Sequence, residues 1–289
     1  MSTLSLPHGL ARRPAARTAP PAAPARRRAR GTRRLGPGRP LRGGTLIGLG
    51  ALLAVWSVGS AVGFIDQRTL SAPWTVVTTA ADLVADGRLQ EHLAVSAGRA
   101  LSGLVLGVLA GTVLAVVAGL SRWGEAVVDG PVQLKRAVPS LALLPLLILW
   151  LGIGETMKIV TILLGVLIPV YIHTHNGLRT IDARYVELAE TVGLSRWGFL
   201  TRVVLPGALP GFLLGLRFAV TGCWLALVVV EQINGTAGIG YMMELARTYG
   251  QTDVIVVGLV LYGILGYGSD LLVRIVQRRA LSWRRTLAD

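Results

Sequence analysis

The stretch ELAETVGLSRWGFLTRVVLP, residues 187–206, is the longest polar interruption in the hydrophobic two-thirds of the chain. Helix signals divide it in two: Asp182 is a suitable N-cap for a first helix that Gly193 ends, and Ser195 caps a second helix that Pro206 ends. Apolar residues recur at helical spacing in both halves: Val186, Ala189 and Val192, then Trp197, Leu200 and Val204. The pattern predicts an amphipathic helical hairpin that lies against another structure.

The composition is that of an integral membrane protein. Of 289 residues, 52% are hydrophobic and only 15% are charged, whereas soluble domains carry about 25% charged residues. The mean hydropathy is +0.59. The single cysteine, Cys223, lies in an apolar run, which excludes a disulfide within the chain and a cysteine cluster for zinc. No metal site is predicted, since His173 and His175 are two residues apart and do not share a helix face.

Residues 1–43 form a separate zone with eleven arginines, no acidic residue and many prolines and alanines. Such a segment cannot bury a core, so we expect a disordered cytoplasmic tail. Nucleic-acid binding is one use for this tail. The interpretation we favour is a cytoplasmic anchor, because arginines before a first span hold that end inside and attract anionic lipid. Residues 280–289 are expected to form a short cytoplasmic C-terminal tail.

Six apolar runs predict about six membrane-spanning helices, and therefore an all-α membrane domain over residues 44–279 with a connecting hairpin at 182–208. The runs are 43–65, 93–120, a third from about 131 to 151, 157–172, 209–230 and 254–276. Segments 66–91 and 232–252 read as outside loops, the second with glycine turns. An even number of spans places both termini and the hairpin on one side, and the concentration of arginine there indicates the cytoplasm.

Four residues are candidates for lining a solute pathway. Pro139 and Pro145 would loosen the third span, and broken helices in a bilayer are tolerated where they are buried or line a cavity. A packed, kinked helix without solute contact is the alternative. Arg217 lies within the fifth run and Glu231 closes it, and ionisable groups in a span suggest a functional site. Arg217 could instead extend its guanidinium to the membrane surface.

The second span carries a face of small residues that repeats every four positions: Gly103, Gly107, Gly111 and Ala115. Such a face allows close packing of helices, either between subunits or within one chain. The alternative is that glycine is simply common in membrane helices.

The spacing in the hairpin resembles the EAA loop of ATP-binding cassette importer permeases. The matching residues are Glu187, Ala189, Gly193, Val203, Leu205 and Pro206. Leu188 departs from the family's usual first alanine. The resemblance implies that these residues couple the chain to a partner ATPase and that the fold is the type I importer permease fold.

Further stretches resemble the aliphatic sulfonate permeases of the nitrate, taurine and sulfonate importer group. They are GLSRWGE at 119–125, VPSLALLPLLILWLGIGE at 138–155, VVLPGALPGFLLGLRFA at 203–219, GIGY at 238–241 and QTDVIVV at 251–257. The resemblance implies a homodimer of this chain, two copies of a cytoplasmic ATPase that carry ATP and Mg²⁺, and an external solute-binding protein. The chain has no phosphate-binding glycine loop of its own, so we expect it to be neither an ATPase nor another enzyme.

We therefore predict a multi-pass permease subunit of an importer in a bacterial plasma membrane, for aliphatic sulfonates or a related small oxyanion. Taurine, nitrate or a heterocyclic vitamin precursor is the alternative solute. The alternative from another class is a membrane-anchored DNA-binding regulator that uses the basic tail. The hairpin could also be a DNA-binding helix-turn-helix, since Ala189 followed four residues later by Gly193 suits a tight interhelical turn. Its position between two spans argues against nucleic acid as a partner.

Overall fold

The computed structural model describes residues 44–283, which contain helices and no strand. The helices are α1 (Gly44–Ala61), α2 (Pro73–Ala85), α3 (Arg88–Leu120), α4 (Arg122–Ala137), α5 (Leu144–Leu151), α6 (Glu155–Arg179), α7 (Arg184–Thr191), α8 (Arg196–Phe199), α9 (Leu205–Asn234), α10 (Ile239–Thr248) and α11 (Thr252–Ala280). A 3-10 turn, Ser140–Leu143, precedes α5, and a π-helical turn, Leu200–Val204, joins α8 to α9. The predicted N-terminal tail and the last six residues lie outside the described part.

Helices α3, α6 and α9 form the centre of the bundle, and glycines set their spacing. A Cβ atom on Gly103 would lie 2.5 Å from Ile162, and one on Gly107 would lie 2.6 Å from Val166. The small-residue face of α3 is thus a close packing seam against α6 within one chain. This confirms the interpretation of the repeat as an interhelix seam.

The direction of the three helices defines two ends of the bundle. Gly103 faces Ile162 and Gly119 faces Leu178, so α3 and α6 run parallel. Gly211 faces the carbonyl of His173 and Gly215 faces that of Pro169, so α9 runs antiparallel to α6. We call the end that carries α7 and α8 the hairpin end. The other end, where α3 and α6 begin and α9 finishes, is the distal end.

Among residues 44–283, four helices are long and apolar enough to cross a membrane: Arg88–Leu120, Glu155–Arg179, Arg196–Ile233 and Thr252–Ala280. Residues Arg122–Ala137 and Ser140–Leu151 pass the same test only as a pair bent by 91°. In the first run, α1 extends over Gly44–Ala61, and its described apolar part is Ile47–Ala61. The fold is that of a multi-pass helical membrane protein, and the count of six spans remains a prediction.

The third span differs from the expected loosened helix that begins near Pro131. Pro131 lies inside α4, and the chain breaks at Val138, which is extended at φ −96° and ψ 119°. Pro139 causes this break, because proline disfavours the helical conformation of the residue before it. Pro145 does not loosen α5 but stands in its first turn, where a missing N–H is tolerated. Whether either proline lines a solute path remains a prediction.

The two segments read as outside loops contain helices, which corrects that expectation. Helix α2 buries Val76 and Leu83, and α10 buries Ile239 and Met242. These side chains pack into one hydrophobic core with the first half of α11. Burial of one apolar face thus stabilises short helices in segments whose overall polarity suggested loops.

Candidate functional site

The joint of the hairpin is a helix C-cap built around Gly193. Gly193 has φ +67°, the left-handed region that favours glycine. Its N–H donates to the Glu190 carbonyl at 3.1 Å, and the Leu194 N–H donates to the Ala189 carbonyl at 2.9 Å. These two bonds form the Schellman motif, which satisfies the last carbonyls of α7. The predicted stop of the first helix at Gly193 is confirmed.

Ala189 is the one buried residue of α7, with 6% of its surface exposed. A small side chain at this position lets the helix lie close to the bundle. The start of α7 differs slightly from the expectation: the helix begins at Arg184, and Ala183 is its N-cap. Asp182 still accepts a hydrogen bond from the Arg184 backbone N–H at 2.9 Å. The side-chain hydrogen bond from the Arg184 guanidinium lowers the pKa of the Asp182 carboxyl from its ordinary value.

The second half of the hairpin begins as predicted but does not end at Pro206. Ser195 caps α8 by accepting from the Gly198 N–H at 3.1 Å. The helix then continues through the π-helical turn into α9, so that Arg196–Ile233 is one helix of 38 residues. The Leu205 N–H bonds to the Leu200 carbonyl, five residues back. Pro206, in the first turn of α9, is thereby accommodated without a break.

An apolar stripe on α7 faces solvent in the chain described here. Tyr185, Leu188 and Val192 follow the i, i+3, i+7 spacing of one helix face, and 54%, 57% and 63% of their surfaces are exposed. Trp197 at the start of α8 is 72% exposed. Such a stripe is the pattern of a helix that inserts into a groove of a partner protein.

The six apolar residues of the predicted amphipathic hairpin pack only partly against this chain. Of these six residues, Ala189 and Val204 are buried, whereas Val186, Val192 and Trp197 are exposed. Glu187 is also exposed on α7, where a partner can reach it. Beside the hairpin lies a cavity of ≈ 800 Å³. Its lining comes from α6, the hairpin, the start of α9 and the C-terminal region, and it includes Val203, Pro206, Asn176, Arg202 and Trp283.

The distal end holds a buried carboxylate, Glu231, whose surface is entirely inaccessible. One oxygen accepts from Arg99 Nη1 at 2.8 Å, and the other accepts from the Gly240 N–H at 2.9 Å and from the Tyr262 hydroxyl at 3.1 Å. The Ser96 hydroxyl lies within 2.9 Å of both oxygens. Glu231 thus connects α3, α9, α10 and α11. Its candidate role in contacting solute remains a prediction.

Gly238, which precedes α10, and Gly240, which lies within it, both pack directly against the Glu231 side chain. A Cβ atom on Gly238 would lie 2.3 Å from Glu231 Oε1, and one on Gly240 would lie 2.6 Å from Glu231 Cβ. Gly238 also has φ +113°. The sequence GIGY therefore marks a close approach of the backbone to Glu231, in addition to a turn.

Arg99 also binds a second carboxylate at the same end, that of Glu155. Its Nε and Nη2 atoms donate to the two oxygens of Glu155, each at 2.6 Å. Lys158 Nζ donates to Glu155 Oε1 at 3.0 Å. The residues Arg99, Glu155, Lys158 and Glu231 form what we call the distal charge cluster. The sequence signal for it was a charge within or next to three separate apolar runs.

Arg217 lies apart from both sites. It donates through Nε to Asp270 at 2.7 Å, and Asp270 also accepts from Arg274 at 2.7 Å. The Arg217 side chain is 42% exposed. The predicted site residues therefore divide into a hairpin group, a distal carboxylate, an ion pair between α9 and α11, and the two prolines at the break between α4 and α5.

Comparisons with known proteins agree with this geometry. Residues 103–282 match the family described as binding-protein-dependent transport system inner membrane component. The protein assigned as aliphatic sulfonates transport permease SsuC of Escherichia coli (strain K12) is 46% identical over 80% of this chain and 88% of its own. Its counterpart in Bacillus subtilis (strain 168) is 38% identical over 81% and 85%, respectively.

The taurine transport permease TauC of Escherichia coli (strain K12) is 35% identical over 81% of this chain and 87% of its own. A chain from the crystal structure of an amino acid ABC transporter with histidines superposes with a TM-score of 0.56 at 18% identity, covering 70% of this chain and 96% of the other. The helical arrangement is thus the type I importer permease fold that the resemblance implied. This chain belongs to the family of binding-protein-dependent transport system inner membrane components.

Proposed function

We propose that this chain is the membrane-spanning subunit of an ATP-driven importer of aliphatic sulfonates. The observation that carries the proposal is the hairpin, where a glycine-capped helix presents an apolar stripe at one end of the bundle. An importer permease needs such a surface, because ATP hydrolysis on another subunit must be converted into movement of its helices. The 46% identical relative assigned to aliphatic sulfonates supports the choice of solute.

The partner at the hairpin end is a cytoplasmic ATPase dimer that holds ATP and Mg²⁺, while this chain binds no cofactor and catalyses no reaction. Glu187, Ala189, Gly193, Val203, Leu205 and Pro206 belong to the docking segment. Because α8 continues into α9, displacement of the hairpin moves a helix that reaches the distal charge cluster. The bundle then alternates between two openings by rigid-body shifts of its helices.

The remaining assembly follows from the same proposal. The chain forms a homodimer in the lipid bilayer of a bacterial plasma membrane, with the hairpin and both termini in the cytoplasm. An external solute-binding protein docks at the distal end and delivers the solute. Both the arginine distribution of the sequence and the position of the hairpin support this orientation.

A DNA-binding regulator is not favoured as the function. In a helix-turn-helix the second helix must be free to enter a DNA groove. Here the helix after the joint is the start of a 38-residue apolar helix. Nucleic acid is therefore not a proposed partner of the hairpin.

Growth on different sulfur sources tests which solute the importer transports. A strain without this gene is expected to lose growth on ethanesulfonate as sole sulfur source and to keep growth on sulfate. A plasmid copy of the gene should restore growth, and a copy with Gly193→Val should not. Unchanged growth on ethanesulfonate, with loss of taurine, nitrate or vitamin-precursor uptake instead, would overturn the sulfonate assignment.

Variants of the Arg217–Asp270 pair test whether Arg217 lies on the solute pathway. We expect Arg217→Glu to reduce ethanesulfonate uptake more than Arg217→Gln, because a sulfonate is permanently anionic and the new carboxylate also faces Asp270. Equal losses from the two variants would contradict this expectation. The double variant Arg217→Glu/Asp270→Arg restores an ion pair with reversed positions. Recovery of uptake in it would assign Arg217 to helix packing and not to solute contact.

A further inference from the structure

We propose that Arg99 and Lys158 form an anion-binding site at the distal end, which Glu155 occupies in this structure and which the sulfonate group of the solute takes over during import. The identity of the anion rests on the proposed function. The site itself rests on the donors, the exposure and the charges of the distal charge cluster.

The donors around Glu155 match a sulfonate in number. Arg99 Nε, Arg99 Nη2 and Lys158 Nζ donate to Glu155, at 2.6, 2.6 and 3.0 Å, respectively. A carboxylate has two oxygens, so Glu155 Oε1 accepts from both Nη2 and Nζ. A sulfonate has three oxygens and can give one to each donor. The fork of an arginine is also suited to two oxygens of one oxyanion.

The exposure of the four side chains indicates which carboxylate can leave. The side chains of Arg99 and Lys158 are 6% and 3% exposed, and that of Glu231 is inaccessible, whereas that of Glu155 is 56% exposed. Glu155 is therefore the carboxylate of the cluster that water can solvate once it leaves its partners. A solute anion arriving from solvent would meet the cluster on the side that Glu155 now covers.

Arg99 stays in place when Glu155 leaves. Its Nη1 atom remains bonded to Glu231 at 2.8 Å and to the Ala237 carbonyl at 2.6 Å. These two contacts leave the Nε and Nη2 edge directed at the position of the Glu155 carboxylate. The cationic side of the site is thus held by contacts that do not involve Glu155.

The charge balance requires an exchange of anions. Arg99 and Lys158 carry two positive charges, and Glu155 and Glu231 carry two negative ones. Loss of Glu155 alone would leave a largely buried cation without a counter-charge, which is costly. Entry of a sulfonate as Glu155 departs keeps the cluster neutral. The anion therefore replaces Glu155 and does not add to it.

The chain before Glu155 has room to move. Gly152 has φ +71°, and no atom lies within 4 Å of a Cβ built on Gly152 or Gly154. Glu155 is the first residue of α6, directly after this short connection. A rotation of the exposed Glu155 side chain can thus withdraw the carboxylate, while Met157 and Lys158 in the same turn stay packed.

Isothermal titration of the purified permease, together with its co-purifying subunits, tests the site with ethanesulfonate as the probe. Glu155→Gln removes the internal competitor and is expected to lower the Kd for ethanesulfonate by about tenfold relative to wild type. The double variant Glu155→Gln/Lys158→Gln should not show this decrease in Kd. The Kd for propionate, which has two oxygens, should fall less in Glu155→Gln than the Kd for ethanesulfonate. Glu244→Gln, which removes a carboxylate from a surface pair with Arg247, should leave the Kd unchanged.

An unchanged Kd in Glu155→Gln, with wild-type uptake of ethanesulfonate, would overturn the site and leave the proposed function standing. Conversely, tighter binding of inorganic sulfate by Glu155→Gln in a protein that does not import ethanesulfonate would keep the site and reject the proposed solute. If Glu155→Gln assembles poorly, Glu155→Asp is the second variant, because it keeps the charge and shortens the reach. It should give a smaller decrease in the same Kd, and no decrease would count against the proposal.

Discussion

Replacing Glu231 with alanine is expected to leave a protein that inserts in the membrane but does not form a stable bundle. The change removes the acceptor for Arg99, Ser96, Tyr262 and the Gly240 N–H at once. Removal of one partner from a buried ion pair costs about 3–5 kcal/mol. The measurement is the unfolding temperature of the purified protein in detergent, together with its amount in the membrane.

Two further variants are the controls for Glu231→Ala. Glu231→Gln keeps the shape of the side chain and part of its hydrogen bonding, so its loss of stability should be smaller. Glu244→Gln removes a partly exposed carboxylate that pairs with Arg247 on the neighbouring helix α10, and it should change the unfolding temperature little. A wild-type unfolding temperature for Glu231→Ala would show that the four helices are held together without this carboxylate.

Gly193→Val is expected to abolish transport while the protein remains folded in the membrane. At φ +67° a β-branched residue is strained, and the cost is about 1–3 kcal/mol. No atom lies within 4 Å of a Cβ built on Gly193, so the effect comes from the backbone and not from a clash. The Schellman bonds that direct α7 should open, which would displace the apolar stripe. Co-purification of the proposed ATPase subunit and uptake of ethanesulfonate measure the loss.

Gly193→Asn is the matched control, because asparagine adopts the left-handed conformation more readily than valine. This variant should keep most of the ATPase binding and transport. If Gly193→Val retains both activities in full, the segment 187–206 is an ordinary connection. The proposal of an importer subunit would then lose its main structural support.

The hairpin could be predicted from the sequence where its structure depends on neighbouring residues. The Gly193 stop and the Ser195 cap need only local hydrogen bonds, and both are present. The predicted end at Pro206 was wrong because the helix that begins at Arg196 continues past the proline through the π-helical turn Leu200–Val204. Whether a helix ends at Pro206 or continues past it depends on the π-helical turn before the proline, and local sequence signals do not specify that turn.

The distal charge cluster could not be predicted in the same way. Arg99 is 56 residues from Glu155 and 132 residues from Glu231, and only the packing of α3, α6 and α9 brings them together. Glu231 could be named as a candidate because it closes an apolar run. Its partners depend on the tertiary structure, as do the helices α2 and α10, which fold onto the same core.

The 38-residue helix that begins at Arg196 has a mechanical consequence. At 1.5 Å per residue it is about 57 Å long, nearly twice the hydrocarbon thickness of about 30 Å that a bilayer offers. Much of it must therefore project beyond the hydrocarbon layer or tilt within it. Such a rod acts as a lever: with a pivot at one end, a tilt of about 10° displaces the other end by roughly 10 Å. A small push outside the bilayer can thus become a large displacement across it.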